Sequence, residues 1–140
     1  MNMITIRKIL IITGLLFLTF RALAPDRKSL IVFDADPINP YQKLIYAVGM
    51  VETKCDTLAY NPVEHAVGYF QIRPVRLKDY NNRTGSSYTM KDMFNYNIAE
   101  KIFLYYASQI GPNDFEKIAR KWNGSGVRTT YYWNQVKKFL

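Results

Sequence analysis

Helix-breaking residues recur through the last hundred positions of this chain: Asn39-Pro40, Asn61-Pro62, Gly68, Pro74, Gly85, Gly111-Pro112 and Gly124-Ser125-Gly126. Proline removes an amide donor and clashes with the preceding turn, and glycine lets the backbone reverse, so no long helix survives this punctuation. Between the breaks the apolar residues fall at helical spacing. Asn39-Pro40 offers a cap and a first-turn proline ahead of Leu44, Ile45, Val48 and Val51, which predicts a helix over about residues 40–54. Residues 55–72 read as a loop or an abbreviated hairpin. Val75, Leu77 and Tyr80 predict a short helix after Pro74 that dissolves at Asn81-Asn82-Arg83-Thr84-Gly85, and Thr89 with Asp92 forms a near capping box before one or two turns over residues 90–96. Ile98, Ile102, Tyr105, Tyr106 and Ile110 mark a helix that ends at Gly111-Pro112. Asn113 or Asp114 caps the next helix, whose stripe is Phe115, Ile118, Ala119 and Trp122, while Tyr131, Val136 and Phe139 carry a closing one. The expected class is mainly α, with about five short helices.

An apolar content of 49%, with 15% of all residues aromatic, is sufficient for one core in 140 residues. One cysteine, Cys55, and one histidine, His65, are too few for a disulfide framework or a zinc site of several Cys and His ligands, so no metal or cofactor is expected. Cys55 reads as a small buried hydrophobe and His65 as a structural or exposed histidine. The net charge of +8 favours an anionic partner: nucleic acid, an acidic membrane surface or an anionic wall polymer. The bases are scattered singly and the aromatics sit at core-like helical spacing, which argues against nucleic acid.

Arg7 and Lys8 precede an apolar run over residues 9–20, followed by Arg21-Ala22-Leu23-Ala24. A basic start, a short apolar stretch and a small-x-small end form the grammar of a signal peptide, so export to the periplasm or cell envelope is expected. Pro25, immediately after the cleavage motif, would hinder a peptidase. Uncleaved, residues 9–20 would serve as a membrane tether. The expected organisation is a signal peptide or anchor over residues 1–24, a linker with one short strand over 25–38, and a domain over 39–140.

Glu52 stands four residues after Val48 and seven or eight after Ile45 and Leu44, so a helix would carry it on the stripe those residues bury. Burial disfavours the charged carboxylate and raises its pKa, which allows the group to hold a proton near neutral pH and to donate it to a leaving oxygen. The alternative is a glutamate rolled to the helix rim, solvated or paired with Lys54 or Arg73.

Order and spacing point beyond that single residue. Residues 47–136 resemble the lytic transglycosylase and goose-type lysozyme group of the lysozyme-like superfamily. Ala47-Val48-Gly49-Met50-Val51-Glu52-Thr53 is similar to the family's helix ending in a catalytic Glu followed by Ser, and Ala66-Val67-Gly68-Tyr69-Phe70-Gln71-Ile72-Arg73-Pro74 is similar to its Gly-Ala-x-Gly-Leu-Met-Gln-Ile-x-Pro block. Asn97-Ile98 opens a helix as the third block does, and Ile118-Ala119-Arg120-Lys121-Trp122-Asn123-Gly124 resembles the Ala-x-Tyr-Asn-x-Gly block. The resemblance implies a lysozyme-like fold and a monomeric enzyme acting on peptidoglycan glycan strands. It implies Glu52 as general acid and base and assigns Thr53, Gly68, Tyr69, Phe70, Gln71, Trp122 and Asn123 to substrate binding.

In the implied chemistry Glu52 protonates the glycosidic oxygen after N-acetylmuramic acid, the sugar is captured by its own acetamide, and its 6-hydroxyl closes a 1,6-anhydro ring. That scheme needs one protein carboxylate. An inverting hydrolase needs a second one roughly 6.5–9.5 Å away and a retaining one a nucleophile at about 5–5.5 Å. Asp56 and Glu64 are the candidates. Three departures stand out: Thr53 for Ser, His65 for the block's first Gly, and Trp122 for Tyr, which removes a hydroxyl that could steady the carboxylate. A hydrolytic muramidase of the same fold, or a wall-binding component without turnover, are the alternative readings.

Overall fold

A computed structural model describes Met3 and residues 39–140. The expected signal segment, tether and linker strand lie outside the described residues. Five α-helices and one small hairpin make up the described part, which agrees with the expected mainly α class. No helix among the described residues is long and apolar enough to cross a membrane.

Helix α1 spans Gln42–Glu52. Asn39, three residues ahead of the first helical residue, builds the turn that leads into it, its side-chain oxygen accepting the Tyr41 amide at 3.0 Å and its carbonyl the Gln42 amide at 3.1 Å. Leu44, Ile45, Ala47, Val48 and Gly49 are buried along one face. The helix stops because Lys54 (φ 59°) and Cys55 (φ 66°) turn left-handed, folding the Cys55 amide back to the Gly49 carbonyl at 3.1 Å. Glu52 is therefore the last helical residue.

The hairpin pairs β1 (Tyr60–Asn61) with β2 (Ala66–Val67), antiparallel, Tyr60 opposite Val67 and Asn61 opposite Ala66. Asn61 builds the turn by accepting the Val63 and Glu64 amides on its side chain at 3.0 and 3.3 Å. His65 closes it at φ 52°, the conformation that a glycine would supply and that histidine tolerates better than a branched residue. The chain then folds tightly on itself, Val67 bridging to Ile72.

Helix α2 (Pro74–Thr84) runs through Asn81-Asn82-Arg83-Thr84, where the residue types predicted a loop. Side chains compensate for the low propensity: Arg83 Nε pairs with both Asp79 oxygens at 2.8 and 2.9 Å, Thr84 bonds the Tyr80 carbonyl, and Asn81 donates to the Tyr88 carbonyl. Gly85, left-handed at φ 69°, ends it. The Thr89–Asp92 capping box forms and leads into a 3-10 turn over Met90–Phe94. Helix α3 (Tyr96–Ser108) is capped by Asn95, α4 (Phe115–Asn123) by Asp114, and α5 (Arg128–Val136) continues into a final 3-10 turn, Lys137–Phe139.

The core is aromatic at its centre. Phe70 stacks on Phe103 at 4.8 Å between centroids, and Trp122 meets Phe103 edge-on at 5.0 Å. In α5 the buried residues are Thr129, Tyr132 and Val136 while Tyr131 is 70% exposed, so Val136 is buried as predicted and Tyr132 replaces Tyr131 on the inward face. Gly68 is the tightest point. It holds φ 74°, and a Cβ there would collide with the Met93 carbonyl. Gly68→Ala should destabilise the protein by about 2 kcal/mol or more, read as a lower urea midpoint with an unchanged m-value; a neutral result would show that the turn opens without cost.

Candidate active site

The end of α1 and the Gly68–Ile72 turn are locked together by residues that were expected to touch substrate. Thr53 donates its hydroxyl to the Tyr69 carbonyl at 3.2 Å and lies 3.4 Å from the Gly49 carbonyl, so it serves as a strut between helix and turn. The Tyr69 ring lies where a side chain on Gly49 would stand, and its hydroxyl meets Cys55 Sγ at 3.4 Å. Phe70 is fully buried and Tyr69 is 7% exposed, which corrects their expected place on the wall of a cleft. They hold the turn from beneath because two consecutive large aromatics gain more from burial than from facing solvent.

Trp122 is buried as its place on the Phe115, Ile118, Ala119 stripe predicts. It is 5% exposed, and its indole N–H donates to the Phe70 carbonyl at 3.2 Å, so the ring braces the turn from within the core. Gln71 sits at φ 49° at the head of the turn and donates its side-chain amide to the Gly68 carbonyl at 3.1 Å. Its Oε1 makes no hydrogen bond among the described residues and is the free polar atom of the amide. Asn123, partly buried at the end of α4, accepts from Arg73 Nη2 on its backbone carbonyl at 3.5 Å. Arg76 Nη2 bonds the neighbouring Trp122 carbonyl at 2.7 Å. Two arginines from the start of α2 thus tie the turn to the end of α4, as the order of the sequence blocks suggests.

Glu52 is partly buried at the end of α1 and receives the Tyr132 hydroxyl on Oε1 at 2.7 Å. Desolvation is the largest influence on it and pushes its pKa from an ordinary 4.5 up to about 7; the Tyr132 hydrogen bond lowers it, the Arg73 charge lowers it, Glu64 raises it and Arg76 lowers it. Burial, with the Glu52 charge second, pushes the Tyr132 phenol in the opposite sense to ionisation, so it remains a donor. Tyr132 was absent from the sequence reading, which chose Tyr131. The i, i+4 spacing to Val136 is compatible with Tyr132 but does not choose between two adjacent tyrosines.

Of the two candidate second carboxylates, Asp56 is engaged in a turn, accepting the Leu58 amide at 2.8 Å. Glu64 stands 3.7 Å from Arg73 across the mouth of the hairpin, half exposed, and its charge reaches Glu52. His65 Nδ1 contacts the Tyr60 hydroxyl at 2.9 Å and takes no part in this group. Cys55 is partly buried against Tyr69. What the arrangement offers chemically is one carboxyl that titrates near neutrality, a phenol that orients it, and two guanidinium charges that stabilise its ionised form.

Because the folded-state pKa of about 7 exceeds the ordinary 4.5, the folded chain retains a proton that the unfolded chain has released between those pH values. Stability therefore falls as pH rises across that window, by on the order of 2 kcal/mol. Glu52→Gln has no charge to lose, so urea unfolding should find its advantage over wild type absent near pH 4.5 and fully developed above pH 7. Tyr132→Phe should move the Glu52 midpoint above 7, read by carboxyl NMR, and an unmoved midpoint would remove the hydrogen bond from the account. No protein-family model, curated protein or solved structure matches this chain.

Proposed function

We propose that this chain is a peptidoglycan-cleaving lytic transglycosylase of lysozyme-like fold, exported from the cytoplasm, with Glu52 as its general acid and base. The observation that carries the reading is the Glu52 carboxyl itself: last residue of a buried helix, desolvated enough to keep its proton to about pH 7, and oriented by Tyr132. The four sequence blocks that resemble the family add a second support, because three of them, containing Glu52, Gln71 and Asn123, belong to segments joined by the Thr53, Arg73 and Trp122 hydrogen bonds.

In this reading protonated Glu52 delivers its proton to the glycosidic oxygen as the C–O bond breaks. The acetamide of the same sugar captures the anomeric carbon. The resulting carboxylate, now favoured by Arg73, Arg76 and the Tyr132 hydroxyl, then accepts the proton of the 6-hydroxyl as that oxygen attacks the anomeric carbon, breaks its bond to the acetamide oxygen and closes the anhydro ring. One acid performs both transfers, and its raised pKa places both protonation states within reach at neutral pH. The hydroxyl that the Trp122 departure takes away is supplied by Tyr132, which weakens the case for a binding component without turnover.

A hydrolytic outcome on the same fold has one observation in its favour, the position of Glu64 close enough for its charge to raise the Glu52 pKa. Product chemistry separates the two. Purified protein on peptidoglycan should release 1,6-anhydromuramyl products, with a rate that declines as pH rises through about 7. Glu52→Gln should lose at least about a hundred-fold in rate, and Glu64→Gln little. Reducing-end products together with a large loss in Glu64→Gln would identify the hydrolase, and unchanged activity in Glu52→Gln would end the glycosidase reading altogether.

A further inference from the structure

A cavity of about 360 Å³ opens between α2, α3 and α4, lined by none of Glu52, Gln71 or Tyr132. That volume is within the range of small-molecule sites. Its lining is mixed. Val75, Ile110, Ile118 and Trp122 are apolar, with Arg76 lying over the Trp122 ring, and Arg73, Arg76, Arg83 and Lys121 stand against the single carboxylate of Asp79.

That carboxylate is already occupied. Arg83 holds both its oxygens, and Tyr106 donates its hydroxyl to Oδ2 at 2.8 Å, so the Asp79 end of the cavity is neutral and closed. Arg76 is in the opposite situation. It is partly buried, with its guanidinium 4.0 Å from the Trp122 ring centroid and 5.3 Å from that of Tyr106, and among the described residues no carboxylate lies within 4 Å of it. Only Nη2 is engaged, on the Trp122 carbonyl. Contact with the Trp122 ring and the hydrogen bond from Nη2 hold the guanidinium in place, while its remaining N–H groups have no protein acceptor among the described residues. Lys121, exposed at the rim, likewise has no acid partner among them. A charge that has given up much of its hydration without an anion beside it is costly, and an anionic ligand relieves that cost.

We propose that this cavity is a binding site for a carboxylate carried on a short apolar body, the carboxylate seated on Arg76 with Lys121 at the rim and the apolar part on Val75, Ile110, Ile118 and Trp122. A planar carboxylate matches a pre-oriented guanidinium through two parallel N–H···O bonds. An inorganic anion would satisfy the charge and leave the apolar residues wet, so the charged and apolar parts of the lining together select an organic acid. The site shares Arg76 with the surroundings of Glu52, but no step at Glu52 is needed for it to fill, and the binding test reads no glycosidase activity.

The test is titration of the full chain with N-acetyl-leucine, N-acetyl-leucinamide and inorganic phosphate, followed by calorimetry and by NMR of the tryptophan indole and isoleucine methyl signals. N-acetyl-leucine should bind one to one and shift the Trp122 indole and the Ile110 and Ile118 methyls. The amide, which lacks the charge, and phosphate, which lacks the apolar body, should each bind at least ten-fold more weakly. Arg76→Met should abolish binding. Lys121→Glu, at an exposed position that leaves folding undisturbed, should weaken it several-fold and decides the matter if Arg76→Met fails to fold. Equal binding of acid and amide, displacement of the acid by equimolar phosphate, shifts confined to other residues, or unchanged affinity in Lys121→Glu would each overturn the proposal.

Discussion

The absence of a side chain at Gly49 admits the ring of Tyr69 onto helix α1, and the rest of the site is built around that contact. With Tyr69 in place, its carbonyl receives the Thr53 hydroxyl and its own hydroxyl reaches Cys55, so the last turn of the helix and the Gly68–Ile72 turn move as one body. Phe70, next along, enters the aromatic core beside Phe103 and presents its carbonyl to Trp122. Any residue larger than glycine at position 49 would have to displace Tyr69, and with it the alignment of Glu52 against the turn. A few strong steric exclusions therefore govern the geometry more than the sum of many weak contacts does.

The electrostatics follow from that packing. Glu52 sits where desolvation is strong and where Tyr132, Arg73 and Arg76 supply partial compensation, and the balance leaves a carboxyl that titrates near neutrality. Removing the compensation would make it a permanently neutral acid, whereas removing the burial would make it an ordinary surface carboxylate; neither could serve as donor and acceptor in turn. The same two arginines reach outward, Arg73 to Glu64 and to the end of α4, Arg76 to Trp122 and the cavity beyond. Helix α2 thus joins the carboxyl to a second concave surface through charge as well as through packing.

Much of the architecture could be read from the chain because its causes are local. Asn95 and Asp114 cap helices through their own neighbouring amides, Asn39 turns the chain into α1, Thr89 and Asp92 close a box within four residues, and Gly85 ends α2 by turning left-handed, which its lack of a Cβ makes cheap. Glu52 on the buried stripe was legible for the same reason, since helical periodicity is a local property. The loop predicted over Asn81–Thr84 was not, because weak helix formers there are held by Asp79, Tyr80 and Tyr88, contacts whose existence depends on how α2 is already placed. The expectation that Tyr69 and Phe70 line a sugar cleft also went astray: a sequence block shows that aromatics accompany the turn, not on which side of it they lie.

By itself the sequence determined that the chain forms short helices separated by turns and that residue 52 is a carboxyl on an apolar face, because each depends on residues a few positions apart. Only the tertiary structure decided that Tyr132, eighty positions downstream, is the group that touches Glu52. The choice between Tyr131 and Tyr132 is a single step of about 100° around α5. That step is set by which face of the helix packs on α1, and no local pattern encodes it when two tyrosines stand side by side.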